Sequence, residues 1–511
     1  MEMTLGEAFE RSARKFPNKV ACIDDQASAT YAQMSASVNR WGNALEGLGL
    51  AKGTHVATLS DNCLSLMQVI LGNLKRGLVS VPLDSRGTAE DVCRMAELTQ
   101  CTALVFDVSY QGLAEELRDR LPGMKTLVSF GGPAPSFARD YGELLIDASD
   151  DELPQVVNED DESFILFTGG TTGRPKGAVL THKSILWNII SVTTENHSPA
   201  PDERIFYPMQ MYHVASLSRF LAFMYAGGTF IGSKSFDPDH FLDVVEREHT
   251  TFVVGNPTIY RMLLEAIKRK PRDTSSMRRW LNTHGILEPE EKREIETRLW
   301  PNGAYYSSYA LTEASPAVTV LKPWDEPEDP GSVGRGYMCT EVRVVDAFGM
   351  EQPPGEPGEI IVQGPSVFKG YYNAPQETKT ALRGGWLHTG DLGRFDAKGY
   401  LYVVDRLKDM IKTGGLNVYS REVEEVLLKH PLVRDVAVIG LPHPRWGEAV
   451  CAVIVAQPGA RQNDQALQAH CAEHLAGYKK PSMIRYVDAL PKTTFGGKVL
   501  KRELRELFKE S

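Results

Sequence analysis

The sequence predicts an α/β protein with a large N-terminal body and a small α+β C-terminal module, and three observations carry that expectation. Short apolar runs, Ala103-Leu104-Val105-Phe106, Phe164-Ile165-Leu166-Phe167 and Thr251-Phe252-Val253-Val254, read as buried strands. Amphipathic stretches such as Leu242 to Glu248 and Tyr260 to Lys268 alternate with them, as layered α/β structure requires. The chain has 511 residues, more than one hydrophobic core usually serves, which is about 250–300.

Taken in order, the acidic stretch from Asp147 to Glu162 around Pro154 reads as a solvated connector. Near Glu341 the texture changes. From there to Tyr402, strand-like pieces (Val342-Arg343-Val344-Val345 and Glu359-Ile360-Ile361-Val362) alternate with Gly-Pro turns, which predicts a small β unit. The last hundred or so residues hold helix candidates at Arg421 to Lys429, Asp464 to Leu475 and Lys501 to Lys509. Strand candidates there are Val433 to Ile439 and Ala449 to Val455.

A net charge of −10 makes a nucleic-acid backbone an unsuitable general partner, so small-molecule chemistry is expected. The seven cysteines are scattered and contain no C-x-x-C pair, which argues against a disulfide framework or a zinc site. The first residues hold no basic segment leading into an apolar core, and no apolar run reaches about 18 residues. A cytoplasmic location without membrane insertion is the expectation.

Chemistry concentrates in five segments, four of them glycine-bearing. Phe167 to Gly177 follows an apolar run and reads Phe-Thr-Gly-Gly-Thr-Thr-Gly-Arg-Pro-Lys-Gly, a hydroxyl-rich loop suited to gripping phosphate. It is not a Walker A loop, because Pro175 precedes Lys176 and Gly177 follows it; taken alone it is equally a strand-connecting turn. In Ser308-Tyr309-Ala310-Leu311-Thr312-Glu313, a ring could stack on a base and a carboxylate could hold a hard cation, or the segment is a strand end with a surface glutamate. Gly385 to Gly393 offers Asp391 to ribose hydroxyls, or to an ordinary turn. Asp405 to Tyr419 packs charge before Gly414-Gly415, as a hinge or an exposed linker would. Pro491 to Arg502 carries Lys498 beside two glycines, with a charged surface tail as the alternative.

The order and spacing of these segments resemble the adenylate-forming superfamily, the AMP-dependent synthetases and ligases that include acyl-CoA and aryl-CoA synthetases, adenylation domains and beetle luciferases. The resemblance spans nearly the whole chain and includes Thr30-Tyr31-Ala32, Met211-Tyr212-His213 and the turn Gly364 to Asn373. It implies a large N-terminal AMP-binding domain, 1–407, of stacked α/β layers plus a distorted β-barrel, its β-rich part at about 335–405. A small mobile domain, 408–511, would follow. It implies ATP, Mg2+ and coenzyme A as cofactors. Thr168, Gly169, Gly170, Thr171, Thr172, Gly173 and Lys176 would hold the β- and γ-phosphates. Tyr309 would lie against adenine, Thr312 would contact the α-phosphate, and Glu313 would bind magnesium. Asp391 and Arg406 would engage the ribose, and Lys498 would be the catalytic lysine of the mobile domain. Lys408 would be the hinge, and Gly414 and Gly415 would line the acceptor channel.

The implied reaction is activation of a carboxylic acid as its acyl-adenylate with release of pyrophosphate, then acyl transfer to coenzyme A. An amine acceptor, giving an amide, is the alternative; a luciferase-like oxygenase and a non-catalytic nucleotide-binding relative are weaker ones. Departures cluster at the acid pocket, where His213, His284, Gly285 and Ala310 would lie. Ala310 replaces the usual glycine, and Thr283-His284-Gly285 replaces a Gly-Gly-Ala run, although His284 reads first as a hydrogen-bonded structural histidine. A compact aromatic, alicyclic or short acid is expected there ahead of a long fatty chain. Asp405 and Ser420 replace the usual glycine and proline around the hinge motif, without an evident consequence at this level.

Overall fold

A computed structural model describes residues 3–168, 175–195, 200–283, 285–492 and 499–509. The chain divides into two compact units. The larger comprises Met1–Val342, Ile361–His388 and Lys398–Leu401; the smaller comprises Arg343–Ile360, Thr389–Ala397 and Tyr402–Ser511.

The larger unit holds two sheets. The nine-stranded sheet runs in the order Arg335–Gly336, Ala317–Leu321, Ala304–Ala310, Arg279–Asn282, Phe252–Gly255, Arg204–Phe206, Thr229–Ile231, Val20–Ile23 and Ser28–Thr30. Its central strands are parallel, and Phe252–Gly255 is buried at every position. That is why such strands read as unbroken apolar runs. Helix Pro257–Arg269 shows how the crossovers are built. Asn256 accepts from the Ile259 N–H at 2.9 Å, Pro257 occupies the first turn, and Lys268 and Arg269 close the last. Its apolar stripe places Tyr260, Leu263 and Leu264 in one cluster with Phe241, Leu242 and Trp280.

The eight-stranded sheet runs Gly370–Tyr371, Lys176–Thr181, Glu162–Thr168, Val79–Pro82, His55–Leu59, Ala103–Asp107, Thr126–Phe130 and Arg139–Asp140. Helix Leu5–Lys15 packs on both Leu64–Arg76 and Val214–Ala226, which in turn pack on the eight-stranded and the nine-stranded sheet respectively. The expected α/β layering is therefore a sheet–helix–sheet stack.

Most of a four-stranded sheet belongs to the smaller unit, in the order Glu341–Val345, Gly358–Gln363, Leu387–Phe395 and Leu401–Arg406. The C-terminal module is a second sheet around the long hairpin Val433–His443 and Gly447–Ala456. Each strand runs past its sequence-read end, because cross-strand pairing continues to Gly447 after the apolar residues stop. Alternate residues serve two cores: Val436 and Val438 face Val423, Leu427 and Leu467, whereas Ala437, Ile439 and Leu441 face Leu490 and Leu504. The helices are Ser420–Leu428, Asp464–His474 and Lys501–Phe508. Among the described residues no helix is long and apolar enough to cross a membrane. The seven cysteines are thiols, and six of them are buried.

Candidate active site

In the larger unit, strands Glu162–Thr168 and Lys176–Thr181 form an antiparallel hairpin whose last pair is Thr168 opposite Lys176. Gly169, Gly170, Thr171, Thr172 and Gly173 lie outside the described residues. The Lys176 ammonium sits over the Tyr371 ring, 5.0 Å from its centroid. The Tyr371 hydroxyl donates to Glu313 Oε1 at 2.8 Å. Three segments far apart in sequence thus meet in one charged cluster.

Glu313 lies in the short 3-10 turn Thr312–Ala314, just past strand Ala304–Ala310. That turn is braced from several sides. Asn188 Nδ2 donates to the Ala317 carbonyl at 3.0 Å, the Ser315 hydroxyl bonds that of Ser184 at 3.1 Å, and the Phe368 N–H donates to the Glu313 carbonyl at 2.9 Å. Tyr309 is buried, Ala310 is exposed at the strand end, and Thr312 is half-buried. The Ala310 methyl therefore projects from the strand end without loading the core. His213 caps the backbone start of helix Val214–Ala226, its ring 5.0 Å from that of Tyr212. Gly285 accepts from Asn282 Nδ2 at 2.7 Å, and a Cβ there would meet Pro257 at 3.1 Å. His284 lies outside the described residues.

The smaller unit carries the other named residues. Asp391 sits inside strand Leu387–Phe395 rather than at its end, and Arg406 Nε reaches Asp391 Oδ1 at 3.3 Å. Lys408 is exposed in the turn after Leu401–Arg406. Gly414 and Gly415, at φ +58° and +81°, form the two-residue turn between Ile411–Thr413 and Leu416–Val418. Trp446 packs on this turn: its carbonyl accepts from the Gly414 N–H at 2.8 Å, and a Cβ on Gly414 would meet its ring at 3.1 Å. Lys498 lies outside the described residues.

The larger unit thus gathers Lys176, Glu313 and Tyr371, and the smaller pairs Asp391 with Arg406. The family described as AMP-binding enzyme matches residues 9–372, and its companion, the AMP-binding enzyme C-terminal domain, matches 422–496. The chain belongs to the AMP-binding enzyme family. Feruloyl-CoA synthase of an Amycolatopsis species is 38% identical over 507 residues, 99% of each chain. The long-chain-fatty-acid–CoA ligase FadD13 of Mycobacterium tuberculosis is 33% identical over 99% of this chain and 98% of its own. Among solved structures, ATP-bound MatB from Rhodopseudomonas palustris superposes with a TM-score of 0.88 at 31% identity, covering 99% of both chains. This AMP-binding enzyme is an ATP-dependent, AMP-forming ligase that activates a carboxylic acid as its adenylate and passes the acyl group to coenzyme A.

Glu313 fits magnesium by its surroundings. One carboxylate oxygen is held by a phenol, and among the described residues no cluster of three or more His, Cys, Asp or Glu encloses a metal. A carboxylate is the hard oxygen donor that magnesium takes beside waters and phosphate oxygens.

Two features of this AMP-binding enzyme escaped sequence reasoning. In the sequence Tyr371 reads only as part of the Gly364-to-Asn373 turn, because its place beside Lys176 and Glu313 depends on pairing Gly370 and Tyr371 with Val179 and Ala178. The second joins Asp405 to Ser420. Asp405 Oδ2 accepts from the Ser420 N–H, the Ser420 hydroxyl at 2.8 Å and the Arg421 N–H at 3.4 Å. It thereby caps helix Ser420–Leu428, which has no side-chain cap of its own. The two departures explain each other. A proline at the first helical position has no N–H to satisfy, whereas serine does, and aspartate in place of glycine supplies the acceptor. Lys501 extends the network, donating to Ser420 Oγ at 2.6 Å and pairing with Glu424 at 2.7 Å.

Proposed function

We propose that adenylation runs on the residues named from the sequence. Thr168, Lys176 and the glycines between them grip the leaving pyrophosphate, and Thr312 holds the α-phosphate. Tyr309 lies against the adenine, and Asp391 and Arg406 hold the ribose. Lys498 stabilises the charge that builds as the carboxylate attacks the α-phosphorus. Magnesium on Glu313, when bound, offsets charge on the phosphate oxygens. No proton-transferring base is required, since positioning and preorganised charge carry such reactions. The observation that carries the reading is the meeting of Lys176 and Glu313 around Tyr371.

Residues 408–511 act as the mobile domain in this reading. Lys408 is the hinge, and the Gly414-Gly415 turn guides the acceptor once Lys498 has withdrawn. The thiols buried without a disulfide support a cytoplasmic setting.

The acid we assign is a compact aromatic, alicyclic or short one, bound near His213, Gly285 and Ala310. The feruloyl-CoA synthase match and the Tyr212–His213 ring pair support it. Pyrophosphate release over a panel of cinnamic, benzoic, short-chain and long-chain acids tests it; preference for long-chain acids overturns it. Mass spectrometry of products formed with coenzyme A or with amino acids checks the acceptor, and the thioester is the expected product.

A further inference from the structure

We infer that Tyr371 is a positioning residue that keeps the Lys176 cation and the Glu313 anion apart and aimed at the ligand. The inference rests on the reading of Glu313 as the magnesium ligand and Lys176 as a phosphate contact. Left to themselves, a lysine and a glutamate in one cluster close into an ion pair, and a site so neutralised has little charge to offer a Mg2+–triphosphate. Among the described residues no ion pair joins Lys176 to Glu313. Tyr371 engages both, and differently: its hydroxyl donates to Glu313 Oε1 at 2.8 Å, while its ring face carries the Lys176 ammonium at 5.0 Å. One oxygen of the carboxylate is thereby tied and its plane set. The ammonium rests on a weak, easily exchanged partner.

The tyrosine itself has little freedom. Its N–H donates to Thr378 Oγ1 at 2.9 Å, its neighbours Lys369 and Tyr372 donate to the carbonyls of Val179 and Gly177 at 3.0 and 2.8 Å, and Phe368 packs edge-on against its ring at 4.9 Å. The same short segment binds Glu313 through the Phe368 N–H. The phenol therefore sits at a fixed point between the lysine strand and the glutamate turn.

Binding of α,β-methylene-ATP, measured by calorimetry with Mg2+ and with EDTA, tests this without turnover and without knowing the acid. Tyr371→Phe keeps the ring and every backbone bond. It is expected to lose about tenfold of the Mg2+ enhancement, the worth of a hydrogen bond to a charged group, while affinity in EDTA and melting temperature stay at wild-type values. Tyr371→Leu, which also removes the ring, is expected to weaken binding in EDTA as well. If Glu313→Gln abolishes the Mg2+ enhancement but Tyr371→Phe retains it in full, the inference about Tyr371 fails and the reading of Glu313 stands. If Glu313→Gln retains the enhancement, that reading fails and the inference with it. Equal losses for Tyr371→Phe in Mg2+ and in EDTA, with a lower melting temperature, reduce Tyr371 to a structural part and overturn the proposal.

Discussion

The larger and smaller units hold their site residues by opposite means. In the larger unit, Lys176, Glu313 and Tyr371 are anchored by backbone pairing: an antiparallel strand pair in continuous register from Phe164 to Thr168, a two-residue strand laid on it, and a turn braced by Asn188 and Ser184. In the smaller unit Asp391 and Arg406 sit on strands, but Lys408, Gly414 and Gly415 ride on turns. Lys408, Gly414 and Gly415 are exposed; Trp446 holds the glycine turn, and a charged network through Asp405, Ser420, Lys501 and Glu424 joins a strand end to a helix start. A scaffold that must meet phosphate in one geometry gains from burial and register, whereas one that must change partners between two half-reactions is better carried on turns and charge.

The sharpest way to break this contrast is at Lys498. Lys498→Ala is expected to slow adenylation by about 100- to 1,000-fold, the scale of losing one transition-state charge contact. Transfer to coenzyme A from supplied acyl-adenylate should survive. Pyrophosphate exchange and single-turnover thioester formation measure the two halves separately, and equal loss in both would assign the lysine to the fold rather than to one step.

Next in size is the cap. Asp405→Gly leaves the Ser420 N–H buried without its acceptor and is expected to cost about 2–3 kcal/mol in the smaller unit, read by urea denaturation. Ser420→Pro added to Asp405→Gly removes that N–H and should recover most of the loss. A purely additive double variant would separate the two positions.

That pair also shows what the sequence could reveal. Both departures were visible, but their coupling was not, because it arises only where the end of strand Leu401–Arg406 meets the start of helix Ser420–Leu428. Strand candidates such as Phe164 to Phe167 and helix candidates such as Asp464 to Leu475 were legible because burial periodicity is local. The neighbours of each strand were not. Val20–Ile23 pairs with Thr229–Ile231 across some two hundred residues of intervening chain, and nothing local encodes that choice. Tyr371 was hidden for the same reason: its sequence neighbours point to a turn, and its chemistry depends on a strand pair formed across the chain.

Acid should separate the units as well. His182 is fully buried, accepts from the Leu5 N–H at 3.2 Å through Nδ1, and among the described residues has no partner at Nε2. Desolvation, against the pull of Asp161, lowers its pKa from 6.5 to about 4. The unfolded chain then binds more protons than the folded one between those values, so stability contributed by neutral His182 is present above pH 6.5 and is lost as pH falls toward 4. About 2 kcal/mol should be gone from the larger unit by pH 5. Urea midpoints measured from pH 7 to 5 should fall in the wild type and fall less in His182→Gln. Parallel slopes would remove histidine as the cause.

The smallest effect expected is at Gly415, and it bears most directly on why the smaller unit uses turns. Its φ of +81° disfavours any side chain, yet among the described residues nothing lies within 4 Å of a Cβ built there. Gly415→Ala therefore costs only backbone strain, about 1–2 kcal/mol, with no clash to relieve. Gly414 differs, since a Cβ there presses on Trp446 at 3.1 Å. If the turn serves only as a hairpin, both variants should lower stability and leave the two half-reactions in their original ratio. If it guides the acceptor, Gly415→Ala should slow thioester formation from supplied adenylate by more than it slows pyrophosphate exchange, because a methyl group in open space obstructs only what must pass through that space.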